Sequence, residues 1–410
     1  MISLKECYDA ALSANALSGE KEAYSEISGI KTKNINKGWL PSVDLNGSLL
    51  YNSEVIDMGS VLGAIPVPGL ASAIKPLPHE QYKITLDINQ PVYDGGAIKG
   101  AREMEKAELN LNQKQTETDL YRLRGQINVY YFNLMLIDRQ KELLKTYLEV
   151  ISKRISSVTS ALENGVVLKS DIDVLNSERI RIEQQLSENG IKRESLVRIL
   201  SDITGLSIDS ATQFIIPEFP GTISEEINRP ELQLFDMRKE QLSAGLSLIE
   251  SKRRPKAFGF ATLGYGNPPG SNFFRNEFAP YYIVGAGVKW NIIDWNKSKN
   301  EKQIISMQQE ILENRKKDLN DNLKRQLESK MADINAFQEM ISSDNELIQL
   351  RKRITAASES QYKNGTITAT EYINVLSSER QAMINLEIHK VNLAMARAEY
   401  INISGNETEK

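Results

Sequence analysis

Residues Tyr82 to Glu108 read YKITLDINQPVYDGGAIKGAREMEKAE. Apolar Tyr82, Ile84, Leu86 and Ile88 alternate with polar Lys83, Thr85, Asp87 and Asn89. That period of two belongs to a strand with one apolar and one polar face. Pro91 and the Asp94-Gly95-Gly96 turn are expected to end it. From Ala97 the chain changes to Ala, Glu, Lys, Leu and Gln, which are strong helix formers. About 200 residues later the pattern returns, from Tyr282 to Glu310, as YIVGAGVKWNIIDWNKSKNEKQIISMQQE. An amphipathic strand running into a long helix, written twice, decides the fold.

Upstream, Val43, Leu45, Gly47, Leu49 and Tyr51 alternate with Ser42, Asp44, Asn46 and Ser48, with Leu50 as the exception. This second amphipathic strand joins the first through a Gly- and Pro-rich loop at 53–80, and the two form a hairpin. Pro255 to Tyr265 repeats Pro41 to Tyr51 without a gap. A shorter loop with Phe273-Phe274 follows, then a strand with Tyr282, Val284, Ala286, Val288 and Trp290 on one face.

Downstream, one helix is expected from Ala97 to about Leu162. Leu120, Leu123, Ile127, Tyr130, Leu134 and Ile137 step by threes and fours, and Leu144, Leu148, Ile151, Ile155, Val158 and Leu162 continue the seam. Such a repeat predicts a coiled coil, roughly 100 Å long at 1.5 Å per residue. Asn164-Gly165 breaks it, and a helix to about Thr204 returns antiparallel. The second half carries a matching hairpin from Asn296 through Asn364-Gly365 to about Ile403. The turns ENGVVLKSDIDVLNSER (163–179) and KNGTITATEYINVLSSER (363–380) complete the case for internal duplication.

The expected organisation is therefore an N-terminal helix (1–38), a first β-hairpin (39–93) and a first coiled-coil helical hairpin (94–204). A connecting segment (205–228) and a short helix (229–253) lead to the second β-hairpin (254–294). A second helical hairpin (295–403) and a tail (404–410) close the chain. In the second hairpin Asp344, Arg351, Thr355 and Ser358 replace Leu144, Ile151, Ile155 and Val158, as expected beside a wet passage.

Among the 410 residues, 25% are charged but the net charge is only -4, and no basic patch with interleaved aromatics suggests nucleic acid. No apolar run is long enough for a transmembrane helix, whereas a transmembrane β-strand needs only about 9–11 alternating residues. Met1 to Cys7 has no apolar signal core, which predicts a cytosolic protein or a signal already removed. Cys7 is the only cysteine and reads as a buried thiol among Leu4, Tyr8 and Leu12. His79 and His389 have no companion ligands in sequence, so no metal is expected. Glu225-Glu226 has no nucleophile or base beside it, and Asp94-Gly95-Gly96 lacks a P-loop lysine. Neither an enzyme nor a cofactor is indicated.

Four amphipathic strands cannot close a barrel, and open edges are not tolerated in hydrocarbon. A membrane reading therefore requires several copies, and three would supply twelve strands. The helices carry Lys, Glu, Gln and Asn on every turn and must extend into water. The alternative is a soluble coiled-coil scaffold whose sheets bury their apolar faces on each other.

These residues resemble the TolC-like outer-membrane efflux proteins. The motifs are Ser3-Leu4-Lys5-Glu6 before Ala10-Ala11-Leu12, Gln90-Pro91-Val92-Tyr93-Asp94-Gly95-Gly96, and the two turns from Gly165 to Ser177 and Gly365 to Ser378. The resemblance implies a mainly α fold with a β-barrel contribution, and a homotrimer closing a twelve-stranded barrel over a periplasmic helical tunnel. It further implies a Gram-negative outer-membrane location, outer-membrane lipid around the barrel, and a periplasmic adaptor that links the tips to an inner-membrane pump. The implied activity is passive export, of small molecules or proteins.

On that pattern Asn164, Gly165, Val166, Asn364, Gly365 and Thr366 are adaptor-contact candidates, although Asn-Gly also serves simply as a turn. Asp171, Asp173, Tyr362, Glu371 and Asn374 are gate candidates, since each becomes a ring of three in a trimer. Helix N-terminal acids favoured by the macrodipole are the plainer reading. Thr366 and Ile367 stand where the family's basic partner of the tyrosine is expected, a departure from its latch. Tyr82, Tyr282 and Trp290 are candidates for an aromatic girdle or for ordinary cross-strand pairs; the same choice applies to Trp39 and Trp295.

Overall fold

A computed structural model describes residues 1–56, 76–163, 167–209, 211–219, 226–272 and 275–406. Its helices are α1 (Leu4–Ala14), α2 (Glu20–Asn36), α3 (Ala97–Tyr121), α4 (Leu123–Glu163), α5 (Lys169–Thr204), α6 (Pro230–Arg253), α7 (Lys297–Lys363) and α8 (Ala369–Ser404). The strands are β1 (Ser42–Tyr51), β2 (Glu80–Tyr93), β3 (Lys256–Asn267) and β4 (Ala279–Lys289). The chain divides into two compact units. One holds the sheet, within 22–112 and 236–313; the other comprises 1–21, 113–235 and 314–410.

In the first of these units the four strands form one antiparallel sheet in the order β1-β2-β3-β4. The register aligns the alternating patterns, so that Leu45, Leu86, Leu263 and Tyr282 share one row. The apolar face they lie on is not covered by a second sheet: Leu45 is 74% and Val284 73% exposed. The sandwich that a soluble scaffold would need is absent among the described residues. Pro91 does not end β2, as its ring suggests; the strand continues to Tyr93 with a register shift against β3 at Pro91 to Tyr93. Proline cannot donate to the ladder, and the irregularity accommodates it.

The two strand-to-helix turns share a backbone. Gly95 and Gly96 have φ +73° and +91°, and their counterparts Trp295 and Asn296 have φ +52° and +65°. Asp94 accepts from the N–H groups of Gly96 and Ile98 (2.8 and 2.5 Å), and Asp294 accepts from Ser298 N–H (3.0 Å). A Cβ on Gly95 would sit 2.9 Å from the Ser251 carbonyl, so glycine is required there for space as well as for φ.

The helical unit has its main core where α1 lies against α4 and α5. Leu4, Cys7, Tyr8 and Ala11 pack with Ile127, Tyr131, Phe132, Leu134 and Leu200. Cys7 is fully buried as expected, but Ala11 rather than Leu12 completes its face. The single N-terminal helix expected over 1–38 is interrupted. Asn15 adopts an extended conformation and its side chain caps Leu17, starting a short 3-10 turn over Ala16–Gly19. The expected continuous helix from Ala97 is likewise broken at Arg122, close to the weak helix former Gly125.

The segment at 205–228 does more than connect. Its Ile2–Phe214 bridge joins it to the chain start, and the Tyr131 hydroxyl lies 3.0 Å from the Ile2 carbonyl and 2.6 Å from the Ile215 carbonyl. Leu206, Ile208, Phe214 and Phe219 pack on the core.

Candidate functional site: the sheet face and the helical turns

Both aromatic zones lie at ends of the strands. Tyr82 and Tyr265 pack on Phe278 with ring centroids 6.0 and 5.9 Å apart. Tyr282 projects from the same face and is 77% exposed. At the opposite end Trp290 donates its indole N–H to the Arg253 carbonyl (2.9 Å), and its ring remains exposed. Trp39 and Trp295 are exposed as well. Amphipathic rings at both ends of an apolar band are the arrangement that lipid interfaces favour.

On the other face, aromatic rings cover glycines of the neighbouring strand. Phe258 lies over Gly287, Phe260 over Gly285 and Tyr281 over Gly264. Such pairing supports strand positions that have no side chain of their own. Asp87 accepts from Asn46, Thr85 and Thr262 (2.8, 2.8 and 2.6 Å).

In the helical unit, the turn of the second hairpin is built by its own backbone. Gly365 N–H donates to the Tyr362 carbonyl and Thr366 N–H to the Gln361 carbonyl, both at 3.0 Å. With φ +72° at Gly365, this is the helix C-terminal motif that favours glycine. Asn364, Gly365 and Thr366 are all exposed, and space around Gly365 is open. Asn164, Gly165 and Val166 lie outside the described residues.

Glu371 and Asp171 act as N-terminal caps. Glu371 accepts from the N–H and hydroxyl of Thr368 (2.9 and 3.1 Å), and Asp171 from Leu168 N–H (3.2 Å). The Thr368 backbone N–H, then its hydroxyl, hold the Glu371 carboxyl below its ordinary range. Asp173 and Asn374 are exposed.

Tyr362 stacks on Tyr372 from α8 at 5.3 Å with the rings nearly parallel. Over both rings lies the guanidinium of Arg154 from α4, at 5.9 and 5.1 Å. Arg154 also donates to Glu359 (2.5 Å) and Tyr372 Oη (3.4 Å). The Tyr362 hydroxyl is buried with no hydrogen-bond partner among the described residues. Burial pushes its pKa up, and the charge of Asp171 adds to the effect. The structure thus gathers Tyr362 and Asp171, with Arg154 beside the tyrosine, and leaves Asp173 and Asn374 apart on the surface.

Residues 34–187 match the outer membrane efflux protein family. No curated protein sequence matches the chain. Among solved structures it is similar to VceC of Vibrio cholerae, at 13% identity and a TM-score of 0.68, covering 99% of this chain and 97% of that one. It is also similar to the CmeC outer membrane channel of Campylobacter jejuni (15%, TM-score 0.65, covering 99% and 87%). For the MtrE outer membrane channel of Neisseria gonorrhoeae the values are 14%, 0.68, 99% and 91%. Over nearly its whole length the chain has the fold of these outer membrane channels, and residues 34–187 carry the sequence match to the efflux protein family.

Two features of this site escaped the sequence. The arginine on Tyr362 is Arg154, contributed by the other helical hairpin instead of the residues after the tyrosine. Nothing in the sequence says that α4 lies beside the end of α7. The second feature is a buried pair: Arg380 donates to Glu178 at 2.8 Å and lies 5.6 Å over the Tyr147 ring. Arg181 adds two bonds to Glu178 (2.8 and 2.9 Å). Both turn segments contain Ser-Glu-Arg, and that repeat was the available signal. Which glutamate meets which arginine depends on how α8 packs against α4 and α5.

The core near the turns joins Leu144, Tyr147, Ile151 and Val158 of α4 with Leu175 and Ile182 of α5 and Tyr372, Ile373 and Leu376 of α8. The expectation that Thr355 and Ser358 face a wet passage is corrected, since both are buried. Their side chains are small enough to be enclosed without an apolar seam on α7. Asp344 is also withdrawn from solvent, paired with His389 Nδ1 at 2.6 Å.

Proposed function

We propose that this chain is the passive exit duct of a tripartite efflux or type I secretion system, working as a homotrimer in the outer membrane. One observation carries the reading: a single sheet exposes a continuous apolar face and has two unpaired edges. An isolated sheet of this kind is unstable in water and in lipid alike. Three copies turn the edges into pairings and the apolar face toward hydrocarbon. Strands of 10, 14, 12 and 11 residues are long enough to cross the hydrocarbon core.

The helical hairpins then lie in the periplasm. Asn164 to Val166, and the turn at Asn364 to Thr366, meet a periplasmic adaptor, and an inner-membrane pump supplies the energy. The gate is the group around Tyr362, with Arg154 and Glu359 holding the end of α7 to α4. Asp173 and Asn374 face the passage as rings of three.

The test is purification in detergent, mass measurement of the particle, and recording in a planar bilayer. A trimer that needs detergent and conducts ions is expected. A monodisperse monomer in detergent-free buffer refutes the duct.

A further inference from the structure

Each edge of the sheet carries a like-charge pair on the polar face. At one edge Asp44 of β1 stands directly opposite Asp87 of β2. At the other, Lys289 of β4 stands opposite Lys256 of β3. Like charges in such positions are unfavourable. Asp87 is satisfied by three hydrogen bonds. Asp44, Lys256 and Lys289 have no side-chain hydrogen bond or ion pair among the described residues. The two edges are therefore charge-complementary.

We propose that β4 of one copy pairs antiparallel with β1 of the next, with Lys289 directly opposite Asp44. This inference rests on the trimeric duct reading and specifies its contact. The row across the interface becomes Asp87, Asp44, Lys289 and Lys256, so each repulsive pair is bordered by the opposite charge. Ile283 then meets Leu50, the one apolar residue that breaks the alternation of β1. On the lipid side Leu49 meets Val284 and Leu45 meets Val288.

Geometry narrows the register to shifts of four and six, and charge decides between them. Within one copy a single row runs Asp44, Asp87, Thr262 and Ile283. Following it across the interface reaches Leu50, a shift of six residues (50 − 44). The shift must be even, because an odd one would turn apolar side chains into the lumen. Three shifts of six over twelve strands tilt the strands by about 45° from the barrel axis, within the observed range. A shift of two gives only about 20° by the same relation. A shift of four gives about 35° and pairs every residue of β1, but it sets Asp44 against Gly287, where the Phe258 ring lies. It also leaves Lys289 facing Ser42, and neither charged pair is relieved.

The experiment is oxidative cross-linking of the full chain in detergent micelles. Leu49→Cys with Val284→Cys places the thiols directly opposite, within disulfide reach. Leu49→Cys with Tyr282→Cys is the matching pair for a shift of four; in the proposed register it sits diagonally, roughly 7–8 Å apart and beyond that reach. Cys7 is buried and does not compete. Covalent trimers from the first variant and not the second are expected. The reverse pattern, or trimers of the right mass that neither variant links, overturns the register and leaves the trimer standing. A particle that is not a trimer by mass overturns both. As an independent readout, Asp44→Lys and Lys289→Asp should each lower the temperature at which the trimer dissociates, and the double reversal should restore it. Additive losses in the double variant overturn the pairing.

Discussion

Replacing Arg154 with leucine tests the proposed gate at its centre. The side chain is 12% exposed and bonds Glu359, whose side chain is 39% exposed. Solvent screening limits that ion pair to about 0.5–1 kcal/mol. The two ring contacts add about 0.5–1 kcal/mol each. About 2 kcal/mol per protomer therefore ties α4 to the end of α7 and to Tyr372. If the contact holds the closed state, Arg154→Leu shifts closed against open by roughly 30-fold per protomer, since about 1.4 kcal/mol is tenfold. Single-channel recording at fixed voltage reads this as a longer open dwell or a higher mean conductance. Arg154→Lys keeps the charge but loses the planar stacking, so it should fall between the two. Acid should reproduce only the ion-pair part of the leucine effect, since the ring contacts of Arg154 do not depend on the Glu359 charge. Lys363, then Arg154, hold the Glu359 carboxyl below its ordinary range. The contribution is thus present above the ordinary carboxylate pKa of about 4.3 and disappears as the pH falls through the lower folded value. Parent-like closed times in a folded Arg154→Leu trimer would refute the reasoning.

Arg380→Met removes one partner of the buried Glu178 pair, and Arg181 compensates only part of the charge that remains. A loss of about 3 kcal/mol is expected in urea unfolding, and a loss under 1 kcal/mol would show that the pair is not holding α8. Gly365→Ala should cost only about 1–2 kcal/mol, for its positive φ, because open space surrounds it; calorimetry would read a small drop in Tm. Cys7 has its thiol pushed up to about 12, with burial as the main cause. It should resist alkylation at pH 8 until denaturant is added, and rapid labelling of the native protein would contradict the packing of α1. Val284→Lys, on the exposed apolar face, should cost about 2–4 kcal/mol if that face meets lipid near mid-bilayer. Unchanged trimer yield in membranes would count against a lipid-facing sheet.

Most of the local structure was legible because its causes are local. Strand faces follow from an alternation two residues long, and the turn of the second helical hairpin from a glycine, Gly365, that accepts positive φ. The duplication identified Asp294-Trp295-Asn296 as the counterpart of Asp94-Gly95-Gly96, and the two turns do share a backbone shape. Local misreadings also had local causes: Asn15 caps a new turn, and Pro91 is absorbed by a register shift instead of ending β2.

The site was less legible, because its contacts join residues far apart in the chain. Asp171 and Glu371 could be read as caps from sequence, since a cap is reached within three residues. Arg154 on Tyr362 spans 208 positions (362 − 154), and Glu178 to Arg380 spans 202. Neither pairing is implied by periodicity, which fixes the face a residue occupies and not the helix that covers it.

The strand at Tyr82 to Tyr93 shows the division most clearly. Its sequence alone determined that one face is apolar, the other polar, and that a long helix follows. Only the tertiary structure decided that the four strands make one sheet in chain order, with the apolar face uncovered and Asp44 beside Asp87. Hydrophobic pattern sets which way side chains point, but hydrogen-bond register sets which charges become neighbours, and register is a property of the assembled sheet.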